Sequence, residues 1–452
     1  MATTEAHYTQ TTPTDNNKWT FSCWFKKAKP SSEMSLFGAW SDGNNQSKCR
    51  LMTNGTIEFI EYQSSSTVGK LTTNRILRDP AAWMHIVCVY DSDNGTPADR
   101  MKMYINGVRE TSFSVDTNPS SGLASINNVS GRVMYVGRDF DGGYWQGCMS
   151  HVQFVDGSAL APTEFGEVDS TSGIWKIKTG AYATPGNNGF FLKMEDRTNL
   201  DLDSSSNAHT FTTAGTLTAT YDNPSNNFPT LNVLNYATSA NYTITNGNLH
   251  KGSTPTSNLW RATYATLGVS SGKWYFEQRI TGDESGDLKN FITGIGDADQ
   301  MNNATSGHYK FTNDSRGYGY FGQSGNKFNN GSDSAYGNTW GAVDDVVGCA
   351  FDLDNGKIYW SVNGTWQNSG DPTSGATGTG SAYDLASGYT YLPSFNIHYS
   401  ASHFDVNFGN GYFGTTLITS PEADDAGIGA FKYDVPAGYY ALCTKNIKAY
   451  GG

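Results

Sequence analysis

The sequence predicts an all-β chain of two antiparallel β-sandwich domains joined by a connector of short strands, and three observations carry that expectation. First, Val346 to Trp366 reads VVGCAFDLDNGKIYWSVNGTW, which is two strands and two tight turns in one line. Val347, Cys349, Phe351 and Leu353 alternate with smaller or polar residues, and Ile358, Trp360 and Val362 resume the period of two. Asp354-Asn355-Gly356 and Asn363-Gly364 supply the turns, because Asn and Gly tolerate the positive φ of a tight hairpin. Second, the other half repeats the device, with Lys102-Met-Tyr-Ile-Asn106-Gly107 parallel to Lys357-Ile-Tyr-Trp-Ser-Val-Asn363-Gly364. Third, charged residues are only 16% while aromatics reach 13%, a balance that fills pleated surfaces and leaves Gly, Asn and Ser for turns. No window of helical periodicity is longer than about two turns.

Residues 1–178 form the first unit. Trp19, Phe21, Cys23 and Phe25 share one face of a strand. Thr56 to Tyr62 is another, with Glu58 and Glu61 expected on its wet face. Trp83 to Tyr90 is apolar on both faces and belongs mid-sandwich. Met101 to Ile105 runs into the Asn106-Gly107 turn, and Val133 to Gly137 and Cys148 to Phe154 close the set at sandwich-like spacing. Residues 179–260 are the connector. Leu200 to Asp203 precedes a serine run, Asp222 to Pro229 is turn-dense, and the Tyr-, Leu- and Thr-bearing pieces read as short strands packed on neighbouring domains. Residues 261–452 form the second unit, with strands expected at Lys273 to Glu277, Phe291 to Gly296, Gly317 to Phe321, the 346–362 hairpin, Tyr391 to Phe395, Phe404 to Phe408 and Tyr439 to Leu442.

The order W-T-F-S-C-W-F, R-D-P-A-A-W-M-H-I-V, K-M-Y-I-N-G and Y-V-G-R-D-F-D-G-G-Y-W-Q-G-C-M-S-H-V-Q-F-V-D-G in the first unit resembles the concanavalin A-like, laminin-G-like jelly roll. In the second unit, G-K-W-Y-F-E, V-G-C-A-F-D-L-D-N-G-K-I-Y-W-S-V-N-G and F-D-V-N-F-G resemble a SPRY domain. Phe165-Gly-Glu, Gly186-Asn-Asn-Gly-Phe-Phe191, the D-x-P-x-N-N-F-x-T-L-N run from Asp222 and the closing P-A-G-Y-Y-A-L-C-T-K-N are similar to segments of structural proteins of tailed phages, particularly marine ones. That resemblance implies a virion protein, exposed on the particle surface and made in the host cytoplasm.

A formal net charge of −12 argues against nucleic acid and anionic membranes, which want clustered Lys and Arg. Met1 to Tyr8 is polar, so no signal peptide is expected, and no apolar run approaches transmembrane length. The cysteines at 23, 49, 88, 148, 349 and 443 lack metal-ligand spacing and read as reduced, buried thiols.

Catalysis is not expected. A retaining glycosidase needs two carboxylates about 5 Å apart, commonly as alternating acids on a strand. Glu167-Val-Asp169 comes nearest, but Thr171 and Ser172 follow where a further acid should stand. Gly268-Val-Ser-Ser-Gly272 fits the serine-hydrolase elbow formula with a strand, not a helix, after it. Gly317 to Gly322 fits a dinucleotide fingerprint with no helix to receive a pyrophosphate. The histidines are scattered, and His85 within a core strand reads as hydrogen-bonded structure.

Binding sites are more promising. Asp139 and Asp141 lie two residues apart in the Gly-rich loop Arg138 to Gly143 and are candidate calcium ligands, although no cofactor is required; laminin-G-like and pentraxin-like folds imply calcium at sandwich edges. Asp352 and Asp354 are not an EF-hand loop, since the Gly comes early and the twelfth-position Glu is absent. Sugar recognition stacks an apolar ring face on an aromatic beside amides and carboxylates. Tyr144 and Trp145 beside Asp139 and Asp141, and Trp40 beside Asp42, Asn44 and Asn45, have the right types. The polar loops Asp299 to Asp314 and Asn368 to Ser387 are longer than simple turns require, and long loops on rigid sandwiches carry binding. Together these features lead to a non-enzymatic tail fibre or other appendage that binds a host-surface glycan or protein during adsorption, with other virion proteins as neighbours and no membrane insertion. A homotrimer is favoured for such a fibre, although no heptad stretch is present to drive it. A capsid decoration or head-fibre protein, and a glycan depolymerase, are the alternatives.

Overall fold

The computed structural model describes residues 3–28, 33–178, 184–236, 242–253, 259–282, 289–305, 309–398 and 402–451. These fall into two compact units, Met1–Ala219 with Asn223–Ser225 and Thr220–Asp222 with Asn226–Gly452. Both are built of sheets that are antiparallel except where the short Tyr440–Ala441 strand pairs in parallel, and the one α-helix among the described residues is the short Thr444–Tyr450.

The first unit is a two-sheet sandwich. Its larger sheet has eight strands in the order Phe113–Thr117, Ser66–Thr73, Ile57–Gln63, Asn45–Leu51, Met34–Asp42, Val133–Val136, Glu5–Thr9 and Thr212–Ala214. The smaller has six, in the order Phe190–Leu192, Gly147–Asp156, Lys18–Lys27, Met84–Asp91, Met101–Ile105 and Val108–Arg109. Trp19, Phe21, Cys23 and Phe25 do share the inner face, packed with Phe37, Phe59, Ile86 and Phe154. The outward side chains Val87, Val89 and Val155 are also buried, because Phe165 and Leu160 from the following segment cover them. The Asn106-Gly107 turn closes with both residues at positive φ, 49° and 79°.

Thr56 to Tyr62 departs from expectation at both of its glutamates. Glu58 and Glu61 are buried, at 5% and 0% exposure, not wet. Glu58 takes a forked pair of bonds from Arg50 Nε and Nη2 (3.0 and 2.9 Å) and lies 2.6 Å from Lys70 Nζ. Glu61 accepts from Ser125 Oγ (2.6 Å) and the Ile126 amide (3.1 Å). Three residues apart, the two lie on opposite faces: Glu58 points outward beneath charged neighbours, whereas Glu61 shares the inner face with Ile57 and Phe59.

The stretch 179–260 is shared. Phe190–Leu192 pairs with Gly147–Asp156, and Thr212–Ala214 with Glu5–Thr9, inside the first unit. Leu231–Tyr236, Tyr242–Thr245 and His250–Ser253 join sheets of the second.

The second unit stacks a seven-stranded sheet, ordered Leu231–Tyr236, Arg261–Ala265, Tyr391–Ile397, Phe291–Asp297, Gly317–Phe321, Asn326–Asn329 and Ser332–Ala335, on a nine-stranded one. The latter runs Tyr242–Thr245, His250–Ser253, His403–Asn407, Lys273–Gly282, Val346–Asp352, Lys357–Val362 and Thr365–Trp366, with Tyr383–Asp384 and Tyr440–Ala441 alongside. Val347, Cys349 and Phe351 lie in the inner core with Trp274, Phe276, Ile358 and Trp360. Ala350, Tyr275 and Tyr359 on the opposite face are covered by Phe431, Tyr439 and Ala441 of the C-terminal stretch. Glu277 fixes that cover: its carboxyl accepts the amides of Lys432 (2.8 Å) and Tyr433 (3.0 Å), and Asn407 Nδ2 (3.1 Å).

Burial pushes both Glu61 and Glu277 from 4.5 up to about 7, against the lowering pull of their hydrogen bonds. Between pH 4.5 and 7 the folded chain therefore holds protons that the unfolded chain has released. Their contribution is complete below about pH 4.5 and is lost as pH rises through 7, by about 3 kcal/mol for each carboxyl. Denaturant melts at pH 5 and pH 8 should show this loss in the wild type and a flatter profile in the Glu61→Gln, Glu277→Gln double variant; equal slopes would contradict it.

Candidate functional site

On the outer face of the eight-stranded sheet, register brings distant residues into one row. Tyr135 lies opposite His7 on one side and Gly38 on the other, and Gly38 opposite Lys48. Trp40, two residues beyond Gly38, points to the same face and stacks on Tyr135 with centroids 4.2 Å apart and planes 9° from parallel. Gly38 is bare for a reason. A Cβ there would lie 2.6 Å from the Arg138 carbonyl and 2.8 Å from Asp139 Cα, so the loop after Val136 rests directly on the sheet.

That contact sets the guanidinium of Arg138 5.5 Å from the Trp40 ring, 5.3 Å from Tyr135 and 5.2 Å from Tyr144, within cation–π range of all three. Glu5 anchors it at 3.0 Å. Phe140 meets Trp40 edge-on at 6.0 Å and is 42% exposed. The result is an aromatic platform with a fixed cation, partly open to solvent. Asp42, at its rim, accepts from the Asn44 amide (2.7 Å) and Asn45 Nδ2 (3.1 Å), and the Asn44 bond leads in holding its carboxyl below the usual range.

Beside the platform lies a cluster of charges. Asp139, 1% exposed, accepts from Ser35 Oγ (2.5 Å) and the Gly143 amide (2.9 Å), with Lys48 Nζ at 4.0 Å. Asp141 pairs with Lys48 and stands 3.6 Å from Arg50, which also binds Glu33 and Glu58. Asp139 and Asp141 are thus brought to one place, but with an ammonium and a guanidinium among them. Among the described residues no group of three or more His, Cys, Asp or Glu side chains is arranged to hold a metal ion. The set does not fit calcium: Lys48 supplies the positive charge that a cation would.

The structure therefore unites Trp40 and Tyr144 of the expected sugar-binding residues. Asp42 and Asn44 form the adjoining hairpin. Trp145 is different, being 9% exposed and packed edge-on against Phe25 in the core. Tyr135, Arg138 and Phe140 were not anticipated. Arg138 and Phe140 sit inside the Gly-rich run that drew notice for its acids, and Tyr135 in a strand with no local sign of a partner.

Other constellations resolve into structure. Glu167 and Asp169 both bind Lys176, at 3.5 and 3.1 Å, and Asp169 accepts the amides of Thr171 and Ser172. His85 lies 2.8 Å from Ser22 Oγ, an arrangement worth testing for nucleophile activation. Trp175 Nε1, which can only donate, is 3.0 Å from His85 Nδ1, so Nε2 carries the proton and donates to Ser22. Burial also drops the imidazole to about 3, and the ring cannot take a serine proton there. Asp352 accepts the amides of Asp354 and Asn355 and lies 3.1 Å from Lys273. Within the loop Asp299 to Asp314, residues 306–308 lie outside the described residues; Tyr309 and Phe311 pack on Ala262, Tyr264 and Ile292. In the loop Asn368 to Ser387, the Pro372 carbonyl accepts from Tyr439 OH (3.0 Å). Both loops cover sheets.

Residues 2–164 match the family described as "Concanavalin A-like lectin/glucanases superfamily", and residues 273–410 match the SPRY domain. No curated protein matches the chain. Among solved structures, the chain is similar to the SPRY domain of human HERC1 (14% identity, TM-score 0.31, covering 39% of this chain and 96% of that one). It is also similar to the native heptameric SAP-like pentraxin from Limulus polyphemus (18%, 0.28, 35% and 72%) and to a human SPRY domain (14%, 0.27, 38% and 94%).

Replacing Asp139 by Ala should destabilise the first unit by about 1–3 kcal/mol in denaturant melts, because it leaves the buried Ser35 hydroxyl and Gly143 amide without their acceptor. EDTA should leave the melting temperature of the wild type unchanged; a fall would restore calcium to this loop.

Proposed function

From a concanavalin A-like domain followed by a SPRY domain, we propose a non-enzymatic binding protein that a tailed phage displays on its particle, as a tail fibre or other appendage touching host-surface glycan or protein during adsorption. Binding-type domains at both ends support the binding role. The phage setting rests on the segments from Phe165, Gly186, Asp222 and Pro436 that resemble virion proteins.

The observation that carries the reading is the Trp40–Tyr135–Arg138 platform. Trp40 and Tyr135 hide the faces they turn to each other. The axial hydrogens of a sugar would therefore meet the remaining ring surface of Trp40 and the exposed Phe140, with Arg138, Asp42 and the amides of Asn44 and Asn45 beside them for hydroxyls. The guanidinium is held in advance by Glu5 and three rings, so little side-chain entropy is lost on binding. One such site is weak, and a homotrimer would multiply it through avidity. With no heptads, the subunits would associate through sandwich faces or by docking on another virion protein.

A glycan array and a whole-cell binding assay test this directly. Trp40→Ala should lower binding about tenfold or more while leaving the melting temperature within about 2 °C, since Trp40 is half-buried on the outer face. Unchanged binding would remove the platform from the reading. Sugar release from host polysaccharide would make the protein a depolymerase, and antibody labelling of capsids in place of tails would make it a decoration.

A further inference from the structure

Two cations are buried side by side in the second unit with no carboxylate against them among the described residues. Lys251, on strand His250–Ser253, is fully buried, and Arg261, which opens strand Arg261–Ala265, is 6% exposed. They share the ring of Tyr242, at 5.5 and 5.8 Å. Lys251 Nζ donates to the Arg261 carbonyl at 3.1 Å and to Thr263 Oγ1. An ammonium has three donors, so one is left over. Arg261 is worse served: its Nε and Nη1 are buried and meet no acceptor.

A guanidinium cannot shed its charge by losing a proton. A buried charge with open donors is among the costliest arrangements in a protein, and one shared aromatic face compensates only a part of it. Lys251 has another way out. Burial, then repulsion from Arg261, push its ammonium far below the ordinary value. Arg261 has none. We infer that Lys251 and Arg261 form a site for one small oxyanion, a carboxylate or a phosphate, held inside the second unit by their unused N–H groups. An anion there meets the orphaned Arg261 donors and returns Lys251 to its ammonium form, whose third N–H then has an acceptor and whose charge is offset. This site is independent of the Trp40 platform and of the glycan reading.

The test is thermal melting of the full chain in acetate, phosphate or chloride at one pH and one ionic strength. The wild type should gain about 3 °C or more, saturably, in acetate or in phosphate, and the Arg261→Met variant should not. Gain in acetate alone assigns a carboxylate site, and gain in phosphate alone a phosphate site. Should Arg261→Met fail to fold, Lys251→Met replaces it, with the same loss of response expected. Gain in chloride alone, an equal response in wild type and variant, or no response to any anion would each overturn the assignment. So would loss of stability in an Asp283→Asn, Glu284→Gln, Asp287→Asn variant together with indifference to anions, which would give the neutralising role to the chain's own acids; those three residues lie outside the described residues.

Discussion

Every sheet in this chain has two faces, and the inner faces account for only half of the problem. Strands rich in Val, Phe, Tyr and Trp on both sides cannot leave the outer side in water. The chain answers with covers. Phe165 and Leu160 cover Val87, Val89 and Val155. Tyr309 and Phe311 cover Tyr264 and Ile292. Phe431 and Tyr439 cover Tyr275 and Tyr359. These segments are long in sequence because each must cross a sheet, which accounts for loop length without a ligand.

The eight-stranded sheet solves the same problem with charge. Its outer row carries Lys48, Arg50, Glu58 and Lys70, and the loop from Arg138 to Gly143 comes down on them with two carboxylates. Burial alone would raise the Glu58 carboxyl, yet Lys70 and Arg50 outweigh it and hold it below the ordinary range. Such a network contributes less to net stability than an apolar cover would, because desolvation offsets most of the attraction. What it does fix is position. A loop held by Ser35, Lys48 and the bare surface of Gly38 has one seat on the sheet, and Arg138 is carried with it.

Much of the fold was legible from period-two patterning and turn chemistry. Trp19 to Phe25 gave the inner face, and Asn106-Gly107 and Asn363-Gly364 gave hairpins whose residues do take positive φ. Two of the failures share one cause. Alternation assigns a side chain to a face, but whether that face is wet depends on a segment far away in sequence. Glu58 was expected in water for that reason, and Trp145 was expected at a surface when Phe25 in another strand claims it. Glu61 is a separate case, since the period of two itself puts it on the face of Ile57 and Phe59. The site was half legible: Trp40 and Tyr144 stood out by type. Tyr135 and Arg138 did not, because their partnership with Trp40 exists only through the register of three strands.

The charged cover and the aromatic platform are consequences of one substitution-sensitive position. With any side chain at residue 38, the loop would lift from the sheet, since the Arg138 carbonyl and Asp139 Cα already occupy the space. Lifting it would part Asp139 from Ser35 and Lys48, and would withdraw Arg138 from Trp40 and Tyr135 together. The apolar covers elsewhere can shift by fractions of an ångström and still exclude water, because dispersion and area burial are not directional. Ion pairs and ring–cation contacts cannot, because their energies fall with distance and angle. Recognition needs the second kind of contact. That is why the outer face held by charges, in contrast to the faces sealed by Phe and Tyr, is where we propose the binding surface.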